Sequence, residues 1–249
     1  MKKGFKKAVI FAALILAVCC IAFGLYASDY YRADQQAAAV IQQTEQLADD
    51  NVQLEITDNM VIFRPDDTKA GFIFYPGGKV EYTAYAPLMY RLAQNGVACI
   101  ITEMPFNLAV MDIDAADKAV ERIADAEKWY VGGHSLGGSM AASWLEKTDR
   151  NIDGLILLAS YSTADLSDNN VDVLSVYGSE DKVLNMEKYS EYFSNLPDDT
   201  AEIVIDGDNH AQFGCYGKQD GDGEAAISDI EQQNITAGAI AEFMGIEIE

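Results

Sequence analysis

The pentapeptide Gly133-His134-Ser135-Leu136-Gly137 is the feature that most restricts how this chain can fold. It follows a short apolar run, Trp129-Tyr130-Val131, and precedes a segment of small residues typical of a helix. A strand that turns directly into a helix must reverse within a few residues, and flanking glycines keep that strained turn free of side-chain clashes. The pattern predicts a nucleophile elbow, with the Ser135 hydroxyl exposed above a sheet.

The chain contains only two histidines, so the candidates for a catalytic base are few. A serine nucleophile needs a nearby imidazole to accept its proton, and a carboxylate must fix the tautomer of that imidazole. His134 lies inside the turn, where its ring cannot readily fold back onto Ser135. His210 follows the β-branched run 203–205 and several turn residues, as expected for a loop after a strand. We therefore predict His210 as the base; the alternative is an ordinary exposed loop histidine.

Four motifs occur in an order typical of one large family. They are YPGGKV at 75–80, GGHSLGG at 132–138, GSED at 178–181 and NHAQFG at 209–214. From about Gly71 to Phe243 the chain resembles the α/β-hydrolase superfamily, and more narrowly its small, lidless members related to the dienelactone hydrolases. The resemblance implies the fold and a serine–acid–histidine triad. Dienelactone hydrolases proper use a cysteine nucleophile, so the serine here means that their lactone substrate is not implied.

The third member of the triad is sought between the serine and the histidine, because that is the chain order in α/β-hydrolases. Residues 171–177 have the pattern of a strand, and Asp181 lies in the turn that follows. We predict Asp181 as the acid. Its neighbour Glu180 is the first alternative, and three weaker ones are Asp165, Asp206 and Asp208.

Acyl transfer also needs backbone N–H groups aimed at the oxygen that becomes negative. One donor is expected to be the amide of Leu136, directly after the nucleophile. The second is expected in the loop after the strand 72–75, where Gly77-Gly78 lets the backbone approach a ligand closely. We place it at Gly78 or Lys79. Five aromatic residues are candidates for the pocket wall: Tyr82, Tyr85, Phe106, Tyr161 and Phe213.

The N-terminal segment has the composition of a membrane helix. Four lysines precede an uncharged apolar run from Ala8 to Tyr26, which at roughly 1.5 Å per residue nearly matches a hydrocarbon core of ~30 Å. If the lysines stay on the cytoplasmic side, the helix is oriented so that all residues after it lie outside the cytoplasm. We predict that residues 1–27 are an uncleaved membrane anchor, so that the catalytic domain is extracytoplasmic. The alternative is a signal segment whose cleavage releases a secreted protein.

Residues 28–50 are rich in Ala and Gln and contain no Gly or Pro, a composition that favours helix. We expect a helical stalk between the membrane and a catalytic domain at 51–249. The alternative is a helix packed on the surface of that domain.

The exported part is strongly acidic. All 40 acidic residues lie at or after Asp29, whereas four of the 17 basic residues precede it. Nucleic acid is therefore not an expected partner, because phosphate backbones are bound by clustered Lys and Arg. The four cysteines, at 19, 20, 99 and 215, have no evident pairing and are expected to be free thiols. The sequence implies no metal and no organic cofactor.

Strand-like and helix-like segments alternate along the domain, which predicts an α/β fold with a mostly parallel, twisted sheet and helices on both faces. An antiparallel hairpin at 52–63 opens it. Predicted helices cover 86–94, 115–126, 139–147, 186–193 and 225–244. Only residues 160–170 separate the sixth strand from the seventh, the usual place for a cap domain, so no sizeable lid can form there.

These features predict a serine hydrolase that cleaves ester bonds through an acyl-enzyme. An open site without a lid suits short acyl esters, either small molecules or groups attached to the cell envelope. Three alternatives remain: a peptidase or amidase, a deacylase of envelope polysaccharide, and a catalytically inactive binding module.

Overall fold

The computed structural model describes residues 2–42, 51–123 and 126–247. It divides into two compact units, Met1–Tyr30 and Tyr31–Glu249. The first unit holds one long helix, α1 (Lys2–Ser28). Its stretch Phe5–Ser28 has a mean hydropathy of 2.9 and is not buried in protein. This helix is long and apolar enough to cross a membrane, a property that N-terminal signal sequences share.

The second unit is built on one eight-stranded sheet with the strand order β1-β2-β4-β3-β5-β6-β7-β8. Strand β2 pairs antiparallel with β1 and β4, and all other neighbours are parallel. The strands are β1 (Val52–Ile56), β2 (Met60–Pro65), β3 (Ala70–Tyr75), β4 (Val97–Thr102), β5 (Trp129–His134), β6 (Gly154–Leu158), β7 (Asp172–Gly178) and β8 (Ala201–Ile205). The predicted opening hairpin and mostly parallel sheet are both confirmed.

The central strands are apolar on both faces because helices cover the sheet on each side. In β3, Phe72 and Phe74 belong to the core on one face, whereas Ile73 and Tyr75 belong to the core on the other. This alternation is the two-residue period of a strand. Because β5, β7 and β8 run parallel, the residues at their carboxyl ends lie at one edge of the sheet.

Helices connect most of the strands. They are α3 (Ala86–Ala93), α4 (Ala115–Val120), α5 (Leu136–Leu145) and α6 (Met186–Tyr192). A further helix, α7 (Asp229–Phe243), follows β8. Helix α4 is shorter than predicted, although residues 124 and 125 lie outside the described part. Helix α7 begins four residues later than predicted, because the Ser228 hydroxyl accepts a hydrogen bond from the amide of Glu231. Ser228 and Glu231 have the spacing of a capping box, a stronger start signal than the preceding glycine-rich loop.

Part of the predicted stalk belongs to the same compact unit as the sheet, because that unit begins at Tyr31. Helix α2 (Gln35–Gln42) buries Ala37 completely. Just before this helix, the amide of Tyr31 donates to the Lys79 carbonyl at 2.8 Å, and the amide of Asp34 donates to the Cys215 carbonyl at 2.9 Å. Residues 31–42 are thus attached to the domain, whereas the division of the chain at positions 27 and 50 stays a prediction. Residues 43–50 lie outside the described part.

Candidate active site

Ser135 stands at the turn between β5 and α5, and its backbone has the strained geometry of an elbow. Its φ is 52°, in the left-handed region that residues with a side chain rarely adopt. A Cβ atom at Gly133 or Gly137 would lie 2.4 or 2.1 Å from a backbone oxygen of β3. Glycine is therefore required on both sides of the serine. Helix α5 starts at Leu136, three residues earlier than predicted, because the elbow feeds directly into its first turn.

His210 and Asp181 form a buried pair beyond the ends of β8 and β7. The Nδ1 atom of His210 lies 2.8 Å from Oδ2 of Asp181, and both side chains are almost completely buried. The other oxygen of Asp181 accepts hydrogen bonds from the amides of Val183 and Leu184, each at 2.8 Å. Because the carboxylate is fixed and only accepts, it places the ring proton on Nδ1 and leaves a lone pair on Nε2.

The Nε2 atom of His210 has no hydrogen-bond partner within the described part of the chain. His210 and Ser135 line the same cavity, which has a volume of about 230 Å³. Its other walls are Leu136, Ser139, Ala159, Ser160, Tyr161, Val183, Leu184 and Asn185. The structure thus brings the predicted serine, histidine and aspartate to one edge of the sheet, with the imidazole and the hydroxyl in a common cavity.

Among the described residues, none of the four alternative acids forms a hydrogen bond or ion pair with the His210 ring. The Asp165 carboxylate accepts from the Ser167 hydroxyl, and the Asp206 carboxylate lies 3.4 Å from the Ser179 hydroxyl. The Glu180 amide donates to the Asp208 carbonyl. Of the candidate acids in the sequence, only Asp181 is placed to orient the base.

The geometry separates the two candidates for the second oxyanion donor. The amide of Lys79 donates to the carbonyl of Asn107 at 2.7 Å, so it is not available to a ligand. The Gly78 amide makes no hydrogen bond within the described residues, and a Cβ atom at Gly78 would lie 3.0 Å from the Leu136 side chain. Leu136 is the first residue of α5, whose initial amides have no partner inside the helix. The Lys79 amide is therefore excluded as the second donor. The Gly78 amide stays a prediction, and Gly78 is not one of the residues that line the cavity.

Of the five candidate aromatic residues for the pocket wall, only Tyr161 lines the cavity. Its ring stacks on Tyr192, with centroids 5.6 Å apart. Tyr85 and Phe213 are fully buried in the core. Their predicted role in the wall is wrong because they lie beneath the site, packed against the elbow histidine.

Two features of the site were missed by the sequence reasoning. Asp222 accepts hydrogen bonds from the amides of His210 and Ala211, at 3.3 and 2.9 Å, and so fixes the histidine loop. His134, set aside as a base, lies with its ring centroid 4.5 Å from that of His210 and contacts the hydroxyl of Tyr85. No short-range sequence pattern predicts either feature, because the residues that contact each other are far apart in sequence and are brought together only by folding.

Asp208 is a buried carboxyl group next to the candidate triad. It is fully buried, and neither side-chain oxygen has a hydrogen-bond partner in the described residues. Burial, together with the charges of Asp181 and Asp222, raises the pKa of Asp208 to about 9. The side chain is therefore a neutral carboxylic acid at neutral pH.

This raised pKa predicts a pH-dependent stability. The native protein holds the Asp208 proton up to about pH 9, whereas an unfolded aspartate releases it near about pH 4. The native state binds more protons in that window, so its free energy of unfolding falls as the pH rises, by roughly 1.4 kcal/mol per pH unit. Replacing Asp208→Asn removes this loss. We expect the difference between the Tm of the variant and that of wild type to rise steadily from about pH 5 to about pH 9. A Tm difference that does not change with pH would contradict this prediction.

None of the described residues forms a cluster of metal-ligating side chains that could hold a metal ion. All four cysteines are free, as expected, and Cys99 and Cys215 are buried. The groups around the cavity include the Ser135 hydroxyl, the imidazole of the His210–Asp181 pair and the first backbone amides of α5.

Comparison with known proteins agrees with this geometry. The model of the alpha/beta hydrolase family matches residues 71–234, which include the elbow, the acid and the histidine. The chain belongs to the alpha/beta hydrolase family. No curated protein matches the sequence of this hydrolase significantly.

Solved structures share its fold at low sequence identity. A protein of Thermus thermophilus aligns with a TM-score of 0.57 at 15% identity, covering 78% of this hydrolase and 98% of that protein. Esterase 2 of Thermogutta terrifontis, phosphoramylated by tabun, aligns with a TM-score of 0.54 at 15% identity, covering 78% of this hydrolase and 95% of that protein. Dienelactone hydrolase of Anabaena variabilis aligns with a TM-score of 0.56 at 11% identity, covering 77% of this hydrolase and 98% of that protein. The resemblance inferred from the sequence motifs is confirmed at the level of the superfamily and the fold.

Proposed function

We propose that this hydrolase cleaves ester bonds through an acyl-enzyme formed on Ser135. One observation carries the proposal: His210 lines the same cavity as the elbow serine, while its Nδ1 is held by Asp181 and its Nε2 has no hydrogen-bond partner among the described residues. An imidazole held in that tautomer is the base that a serine hydroxyl needs.

In the first half-reaction, Nε2 of His210 accepts the Ser135 proton while the serine oxygen attacks the ester carbonyl. The carbonyl oxygen becomes negative and accepts hydrogen bonds from the amides of Leu136 and Gly78. Asp181 stabilises the imidazolium that forms. The tetrahedral intermediate then expels the alcohol, which takes the proton from Nε2. Water repeats the sequence on the acyl-enzyme, releases the acid and restores Ser135.

The cavity favours short acyl groups. Its volume of about 230 Å³ lies below the roughly 300–1,000 Å³ of drug-sized ligand sites. The connection between β6 and β7 is too short to carry a cap that would extend the cavity into a tunnel. The acidic character of the chain favours neutral or cationic esters over polyanions. Two of the similar solved structures are of one esterase, esterase 2 of Thermogutta terrifontis. This similarity supports ester bonds as the substrate class, in small molecules or in groups attached to the cell envelope.

The test uses the full chain in detergent, a fluorophosphonate probe and p-nitrophenyl esters from acetate to dodecanoate. We expect the probe to label Ser135, and kcat/KM to be highest for the shortest acyl chains. Faster cleavage of p-nitroanilides than of esters would favour the amidase alternative, and release of acetate from envelope polysaccharide alone would favour the deacylase. A protein that is neither labelled nor active would be a binding module.

We further propose that α1 anchors the hydrolase to a membrane with the catalytic domain outside the cytoplasm. The support is the apolar stretch Phe5–Ser28 and the four lysines that precede most of it. After expression of the full chain, we expect it in the alkali-resistant membrane fraction and sensitive to protease added from the extracytoplasmic side. Recovery of a shortened, soluble protein from the medium would indicate signal cleavage instead.

A further inference from the structure

Tyr85 occupies a buried position between the elbow and the loop that carries the proposed oxyanion donor. It ends the short 3-10 turn Tyr82–Tyr85, directly before α3, and its side chain is fully buried. Its hydroxyl accepts a hydrogen bond from the amide of Gly77 at 3.0 Å and lies 2.9 Å from Nδ1 of His134. A single phenolic oxygen thus connects β5, where His134 ends the strand, to the Gly77–Gly78 loop.

The two hydrogen bonds of the Tyr85 hydroxyl differ in how far their direction is fixed. The Gly77 amide can only donate, so the Tyr85 oxygen accepts from it. Towards Nδ1 of His134 the hydroxyl either donates its proton or accepts from the ring N–H, according to the tautomer of the neutral ring. Burial and the nearby His210 hold the pKa of His134 well below its usual value. Burial raises the pKa of Tyr85, so its hydroxyl keeps its proton.

The loop also lies in direct contact with the pair. A Cβ atom at Gly77 would lie 2.7 Å from Nδ1 of His134 and 2.8 Å from the Tyr85 hydroxyl. The next residue, Gly78, rests against the side chain of Leu136 at the start of α5. The glycine at position 77 allows the loop backbone to reach the tyrosine, and the hydrogen bond then fixes where the adjacent Gly78 amide lies.

We propose that Tyr85 and His134 are positioning residues that hold the Gly77–Gly78 loop so that the Gly78 amide faces the developing oxyanion. This inference rests on the proposed ester hydrolysis. It gives the histidine of the elbow a role of its own: His134 does not exchange protons with the substrate but orients the tyrosine that fixes the oxyanion loop. The role depends on long-range contacts, since 49 positions separate the two side chains.

The variant Tyr85→Phe removes only the hydroxyl. Loss of the Gly77 anchor should displace the Gly78 amide, and we expect kcat to fall by about 10- to 100-fold with little change in KM, since an oxyanion donor acts mainly in the transition state. The matched control is Tyr75→Phe. Tyr75 is equally buried, but its hydroxyl donates to the Ile113 carbonyl at 2.6 Å and accepts from the Ala116 amide at 2.8 Å, away from the cavity.

Each rate is divided by the number of Ser135 side chains that the fluorophosphonate probe labels at completion, so that misfolded molecules do not count. Both variants should lose thermal stability, whereas only Tyr85→Phe should lose kcat per labelled site. Adding His134→Leu to Tyr85→Phe should lower kcat no further, because both substitutions break the same chain of hydrogen bonds.

Two results would overturn the inference. Equal kcat per labelled site in Tyr85→Phe and Tyr75→Phe would show that the tyrosine is only structural, while the proposed hydrolysis would stand. A wild-type protein that is neither labelled nor active would remove the proposed function and this inference together.

Discussion

Replacing Ser135→Ala is expected to lower kcat for a short p-nitrophenyl ester by about 10⁴- to 10⁶-fold. The hydroxyl is the atom that forms the acyl-enzyme in the proposed mechanism, and no neighbouring group can replace it in that geometry. Alanine and serine both carry a Cβ atom, so alanine tolerates the positive φ at position 135 as well as serine does. The fold should therefore remain. The measurement is steady-state hydrolysis together with fluorophosphonate labelling, which should disappear.

The matched control is Ser143→Ala, on helix α5, which begins directly after Ser135. The Ser143 hydroxyl donates to the Ser139 carbonyl at 2.9 Å and does not line the cavity. We expect nearly normal kcat and full labelling. Residual labelling of the Ser135→Ala variant, at wild-type rate, would show that another nucleophile carries the reaction.

Replacing Asp181→Asn is expected to lower kcat by about 10³- to 10⁴-fold at neutral pH. One oxygen of Asp181 accepts from the amides of Val183 and Leu184, and the asparagine would keep its single oxygen there. Its NH₂ group would then face Nδ1 of His210, which must accept a hydrogen bond. The ring proton moves to Nε2, and the histidine can no longer accept the serine proton.

The control for this prediction is Glu180→Gln, which removes the neighbouring carboxylate without touching the His210 ring. We expect its kcat to stay within about threefold of wild type, in line with the small effect of surface substitutions. The pH–rate profile of both variants from about pH 6 to about pH 9 separates a tautomer effect from a general loss of charge. A drop in kcat for Glu180→Gln as large as for Asp181→Asn would exclude Asp181 as the sole orienting acid.

The local parts of the site could be predicted from the sequence. The elbow depends on glycines that flank Ser135 within two positions, and the scarcity of histidine leaves few candidates for the base. The alternation of strands and helices places Asp181 and His210 after neighbouring parallel strands, whose carboxyl ends share one edge of the sheet. Each of these inferences uses interactions between residues close in sequence or a rule of sheet topology.

Other features depended on contacts that no local pattern encodes. The attachment of the segment before α2 depends on backbone hydrogen bonds from Tyr31 and Asp34 to Lys79 and Cys215, which lie far along the chain. The choice of Gly78 over Lys79 follows from a single hydrogen bond to Asn107. The neutral carboxyl of Asp208 follows from burial beside two other carboxylates, which composition cannot reveal.

The sequence by itself determined the α/β architecture, the strained serine turn and the candidate base and acid, because hydrophobic periodicity and turn chemistry act between near neighbours. Only the tertiary structure decided which loop amide already has a carbonyl partner, which carboxyl has a raised pKa and which buried tyrosine hydrogen-bonds to the Gly77 amide. Those properties depend on desolvation and on hydrogen-bond partners that folding brings together from distant positions of the chain.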